Sequence, residues 1–155
     1  MRLIVRDTTE YTMAASAADT ALVTFSGLAI PVGAQVQMLI PFRKSSGAGV
    51  SARVGLAING TNVMTTGGQW IYSSTTNQAE SGLAVLWFMP GDTNYQRVLF
   101  GFMQCSGSGG SPASDVIPAH AANLPAAAIT SIGLNGDSKS SLVTLGVKNI
   151  HVWTL

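Results

Sequence analysis

The last stretch of the chain, ITSIGLNGDSKSSLVTLGVKNIHVWTL over 129–155, constrains the fold most. Ile132 and Leu134 alternate with Ser131 and Gly133, the period of two that a half-buried strand needs. Asn135, Gly136 and Asp137 are residues that tolerate positive φ, so a turn is expected there. Segments 142–147 and 148–154 then read as two strands with a bend at Gly146. A segment this apolar, running to the final residue, is expected to be paired into a sheet, since an unpaired one would fray and template aggregation.

Earlier segments repeat the pattern. In 35–42, Val36, Met38, Ile40 and Phe42 face one way while Gln35 and Gln37 face the other. Segment 51–58 is expected to face Ala52, Val54, Leu56 and Ile58 inward, with Ser51, Arg53 and Asn59 outward. Asn59-Gly60 followed by 61–64 predicts a hairpin. Shorter candidates lie at 3–5, 21–25 and 69–75, with 27–33 as a Pro-containing turn. Segment 115–128 is rich in Ala, with Pro118 and Pro125, and is expected to be an extended cover and not a helix. Strands separated by Gly, Pro and Asn turns, with no convincing helix, predict one all-β domain over 1–155. Its expected architecture is an antiparallel β-sandwich of the jelly-roll kind. Residues 1–10 are expected to be an N-terminal arm or an edge strand.

Two strand candidates break the rule that the outer face of a sandwich strand is polar. In 83–89, Leu83, Val85, Trp87 and Met89 are apolar, and so are Ala84, Leu86 and Phe88. In 97–105, Val98, Phe100 and Phe102 share one parity, and Leu99 and Met103 lie on the other. Something must cover the second face. A second subunit is the expected cover, with Leu86, Phe88, Leu99 and Met103 as the oligomer interface. Composition agrees: only 10% of residues are charged and the net charge is +1, so a free monomer has little self-repulsion.

The same composition excludes disorder and offers no cluster of Lys and Arg for nucleic acid. The longest apolar run, 83–89, falls far short of a membrane-spanning helix. The opening MRLIVRDTTE lacks the apolar core of a signal peptide, so synthesis and folding in the cytoplasm are expected. Cys105 is alone, and no intramolecular disulfide can form.

Catalytic chemistry finds no support in residue spacing. His120 and His151 are the two histidines, and neither sits in a ligand or triad motif, so structural or surface roles are expected for both. Cys105 reads as a partly buried, inert thiol. The loop SGSGGS at 106–111 lacks the strand-to-helix context of a phosphate cradle, and Asp92-Thr93-Asn94 lacks the closing acid of a calcium loop. No catalytic residue, metal site or cofactor is expected. Trp70, Tyr72, Trp87 and Trp153 are expected in the core; two of them exposed side by side would instead make a sugar-stacking platform.

The stretches SGLAIPVGAQVQMLIPFRK at 26–44 and ITSIGLNG with LVTLGVKNIHVW near the end resemble small virion proteins of tailed bacteriophages. These are jelly-roll capsid decoration (cement) proteins and the similar end domains of head and tail fibres. The resemblance implies a homotrimer on the outer surface of the head, assembled in the host cytoplasm and bridging neighbouring copies of the major capsid protein. It carries over no catalytic or ligand residue. The short N-terminal strand, Arg2, Leu3, Ile4, Val5 and Arg6, is the expected capsid contact, by strand addition to an exposed edge. The competing expectation is a receptor- or glycan-binding fibre tip.

Overall fold

The computed structural model describes residues 1–13, 16–45, 52–63, 71–74, 79–91, 98–107, 113–117, 124–138 and 145–155. Their regular elements are all strands: β1 (Arg2–Asp7), β2 (Tyr11–Met13), β3 (Ser16–Ile30), β4 (Val36–Lys44), β5 (Ala52–Ile58), β6 (Thr61–Asn62) and β7 (Tyr72–Ser74). They continue with β8 (Glu80–Met89), β9 (Val98–Gly107), β10 (Ala113–Ile117), β11 (Ile129–Ser138), β12 (Leu145–Val147) and β13 (Ile150–Thr154).

The strands lie in two antiparallel sheets. The larger, of eight strands, runs β1-β13-β4-β8-β9-β10, with β12 and β2 attached beside β4. The smaller, of five, runs β3-β11-β5-β6, with β7 also on β5. Pairing follows a simple winding rule. First pairs with last (β1 with β13), β3 with β11, β4 with β8, and β5 with β6, as in one long hairpin folded back on itself. Rolling that hairpin brings β13 against β4 in one sheet and β11 against β5 in the other. This is the jelly-roll topology, and β9 and β10 extend the larger sheet beyond it. The fold is therefore the expected all-β sandwich.

Alternation drives the packing. Val36, Met38, Ile40 and Phe42 of β4 are buried, as are Val54, Leu56 and Ile58 of β5 and Ile132 and Leu134 of β11. They belong to one continuous core between the sheets. Each such side chain contributes about 1.5–3 kcal/mol, as an upper bound.

Several local expectations shift. β11 runs through Asn135-Gly136-Asp137 to Ser138 instead of turning there. The Asn135 amide is buried and donates to Asn62 Oδ1, and a Cβ at Gly136 would strike Met13 Sδ and Leu22. That glycine serves close approach, not a turn. The bend between β12 and β13 falls at Asn149, at φ 54, and not at Gly146. β3 continues to Ile30 through the segment expected as a turn. Of the Ala-rich segment 115–128, residues 115–117 belong to β10, in the plane of the larger sheet and paired to β9, rather than lying over its face; 118–123 lie outside the described residues.

The Asn59-Gly60 hairpin is as expected, with both residues at positive φ (52° and 77°). Asn59 does more than turn the chain. Its Oδ1 accepts from the Thr130 amide (2.8 Å), the Thr130 hydroxyl (3.1 Å) and the Ser131 amide (3.2 Å), and its Nδ2 donates to Ala128 O (2.9 Å). The side chain thereby clamps the start of β11. Asn59→Ala is expected to cost about 2–3 kcal/mol, from lost hydrogen bonds and an unfavourable φ. A urea midpoint equal to that of the parent would show the clamp to be idle.

Candidate functional site

The two-faced apolar ribbon has the opposite parity from that expected. β8 pairs with β4 so that Phe88 lies opposite Val36 and Leu86 opposite Met38. Since Val36 and Met38 point into the core, Leu86 and Phe88 must do so as well, and both are buried there. Met103 of β9 joins the same core. These three are closed off by their own protomer and are not available as an oligomer interface. The Leu99 side chain lies outside the described residues.

The outward face is built from the other parity, in cross-strand rows. One row runs Leu3, Trp153, Gln37, Trp87 across β1, β13, β4 and β8. The next runs Arg6, His151, Leu39, Val85, Phe102, reaching β9. A third runs Pro41, Leu83, Gln104. Leu3 (45% exposed), Leu83 (38%) and Phe102 (43%) stand well out of the surface. Trp87, Trp153, Leu39 and Pro41 are half-buried. Trp87 and Trp153 are thus surface aromatics flanking Gln37 and not core residues. The positions of Trp70 and His120 lie outside the described residues, as does the Tyr72 side chain.

The relief of this face follows from side-chain size. The outward residues of β4 (Gln37, Leu39, Pro41) form a floor. On one side stand Trp153 and His151, stacked with ring centroids 5.4 Å apart. On the other stands Trp87, tilted against Phe102 at 5.9 Å. The result is a trough along β4, and Pro41 carries it into a cavity of 420 Å³ at the strand's far end. That volume lies within the range of small-molecule sites. Ser81, Gly82 and Gly146 are its small lining residues, and Glu10, Arg43, Lys148 and Asn149 line its polar side.

Its electrostatics are simple. Arg43 Nε donates to Glu10 Oε1 at 2.6 Å, a half-exposed ion pair worth at most about 1 kcal/mol. Among the described residues the Lys148 ammonium has no hydrogen bond or ion pair, and it is exposed at the mouth. Asn149 O holds His151 Nδ1 at 3.0 Å, which ties the cavity rim to the ring stack. Behind Glu10, the Tyr11 hydroxyl donates to Asp7 Oδ2 (2.7 Å) and the Thr9 amide to Oδ1 (2.8 Å). The Tyr11 bond, then the Thr9 bond, hold the Asp7 carboxyl below its ordinary range, and the first pushes the Tyr11 phenol up.

Elsewhere, Cys105 is a buried thiol of the core. Among the described residues no three His, Cys, Asp or Glu side chains converge as a metal site would require, and no helix is long and apolar enough to cross a membrane. The expected capsid-contact strand is not a loose arm. β1 pairs with β13 along its length, with an irregularity between Leu3 and Val5, and forms one end of the larger sheet. Arg2, Leu3 and Arg6 are exposed, while Ile4 and Val5 are half-buried against the core. Exposed arginines and a bulge are devices by which edge strands resist casual pairing.

Neither a protein-family model nor a curated protein sequence matches the chain. Among solved structures it is similar to that of the infectious bursal disease virus Gt strain (11% identity, TM-score 0.44, 99% of this chain and 33% of that one). It is also similar to the infectious bursal disease virus VP2 subviral particle (15% identity, TM-score 0.44, 99% and 32%). The chain therefore spans about a third of the length of those it matches. The jelly-roll assignment rests on the order in which this chain's own strands pair.

Proposed function

We propose that the chain is a structural module of a virus particle, a capsid decoration protein of the tailed-bacteriophage kind. In this proposal it sits on the outer surface of the head as a homotrimer and bridges neighbouring subunits of the major capsid protein. The observation that carries the proposal is the winding itself: a jelly roll, the fold of viral capsid and lectin domains. This is an inference by analogy of fold. The sparse charge and the resemblance of 26–44 and 129–155 to virion proteins support it. The edge of β1, with Arg2, Leu3 and Arg6 exposed, is the surface proposed to meet the shell; Ile4 and Val5 would act from behind by fixing that strand.

The purified chain, mixed with expanded heads that lack it, is expected to cosediment with them to saturation. Arg2→Glu with Arg6→Glu is expected to abolish decoration while leaving the circular dichroism unchanged. Binding to host cells with none to heads would assign the chain to a fibre tip instead.

A further inference from the structure

We propose that the trough along β4 and the cavity at its end bind an acidic oligosaccharide, a short glycan bearing a carboxylated sugar. This goes beyond attachment to a particle and does not depend on it, so the two can fail separately.

The trough fits a sugar chain. Trp153 and Trp87 lie in one cross-strand row on either side of Gln37, two strand spacings or about 9–10 Å apart. That gap admits one pyranose ring, whose C–H faces pack on indole while its hydroxyls meet the Gln37 amide. Among the described residues this amide has no hydrogen-bond partner of its own. From Gln37 to Pro41 the floor runs four residues, about 13 Å, the length of a short oligosaccharide.

The cavity supplies the charge preference. Glu10 already engages Arg43, so the unpaired Lys148 leaves the polar end positive. A carboxylate there gains a charge-assisted contact from Lys148 and a further donor in Asn149. A neutral sugar can accept from the same two donors with its hydroxyls, but it lacks the charge attraction to Lys148.

The test is titration of the full chain with trigalacturonic acid and with sialyllactose, followed by tryptophan fluorescence and calorimetry. Methyl-esterified trigalacturonate and lactose serve as the uncharged counterparts. At least one acidic saccharide is expected to bind and shift the fluorescence, its neutral counterpart binding at least about tenfold more weakly. Lys148→Gln is expected to erase that difference, and Trp153→Ala to abolish binding with the thermal midpoint little changed. Binding of neither acidic saccharide at millimolar concentration would overturn the proposal. Binding indifferent to Lys148→Gln and Trp153→Ala would overturn it too. So would a concentration-dependent dimer that Trp153→Ala dissociates, which would give the face to a second copy.

Discussion

Leu86→Asp is expected to leave the chain unfolded, with loss of the β-sheet circular dichroism signal and no cooperative transition in urea. Leu86 is wholly buried between the sheets, opposite Met38 on β4 and Gly101 on β9. Truncating such a leucine costs about 2–5 kcal/mol in its own right. Placing a carboxylate in the same apolar site adds several kcal/mol more, whether it stays charged or is forced to take up a proton. Together these come to about 5–10 kcal/mol, comparable with the 5–15 kcal/mol that holds a typical domain folded. Leu83→Asp, three residues earlier on the same strand, changes a side chain that is 38% exposed on the outward face. It is expected to shift stability by no more than about 1 kcal/mol. If the two variants behaved alike, the assignment of faces on β8 would be wrong. Dissociation of an oligomer with folding intact would be the specific sign that Leu86 lies at an interface.

That contrast marks the limit of what the residues disclosed. β4 and β5 were legible because each strand has one apolar parity and one polar one, so inward and outward were settled before any partner was known. β8 has apolar side chains at both parities, and local periodicity cannot choose between them. The choice comes from a non-local fact, the antiparallel register that sets Phe88 opposite Val36. Asn59-Gly60 was legible as a turn, but its clamp on Thr130 and Ser131 spans some seventy residues of chain and leaves no local trace. Trp87 and Trp153 looked like core residues for the same reason. Only pairing of both strands to β4 puts them on one outer face with Gln37 between. The cavity was harder still, because its walls come from β4, β8 and β12, which only the folded sheet brings together.

Gly82→Ala is expected to lower stability by about 3 kcal/mol or more, a loss out of proportion to one methyl group. Gly82 sits where β8 crosses between β4 and β9, opposite Phe42 on one side and Cys105 on the other. A Cβ there would strike the backbone carbonyl oxygen of Gln104, and would lie 2.7 Å from Phe42 Cζ and 2.8 Å from Cys105 Cβ. Phe42 is buried but also lines the cavity, so its ring can give a little. The Gln104 carbonyl cannot retreat without stretching the β8–β9 ladder, so the strain spreads along the sheet. At about 2–4 °C per kcal/mol for a chain of this size, the thermal midpoint should fall by roughly 6–12 °C. Gly133→Ala is the control, since its nearest neighbours, Thr24 Oγ1 at 3.3 Å and Ala57 Cβ at 3.5 Å, leave nearly enough room. It is expected to cost less than about 1 kcal/mol. Equal midpoints for the two alanine variants would show that β8 and β9 have slack at Gly82. In that event the ribbon between the core and the outward face is softer than its register implies, and the trough floor along β4 loses its rigid support.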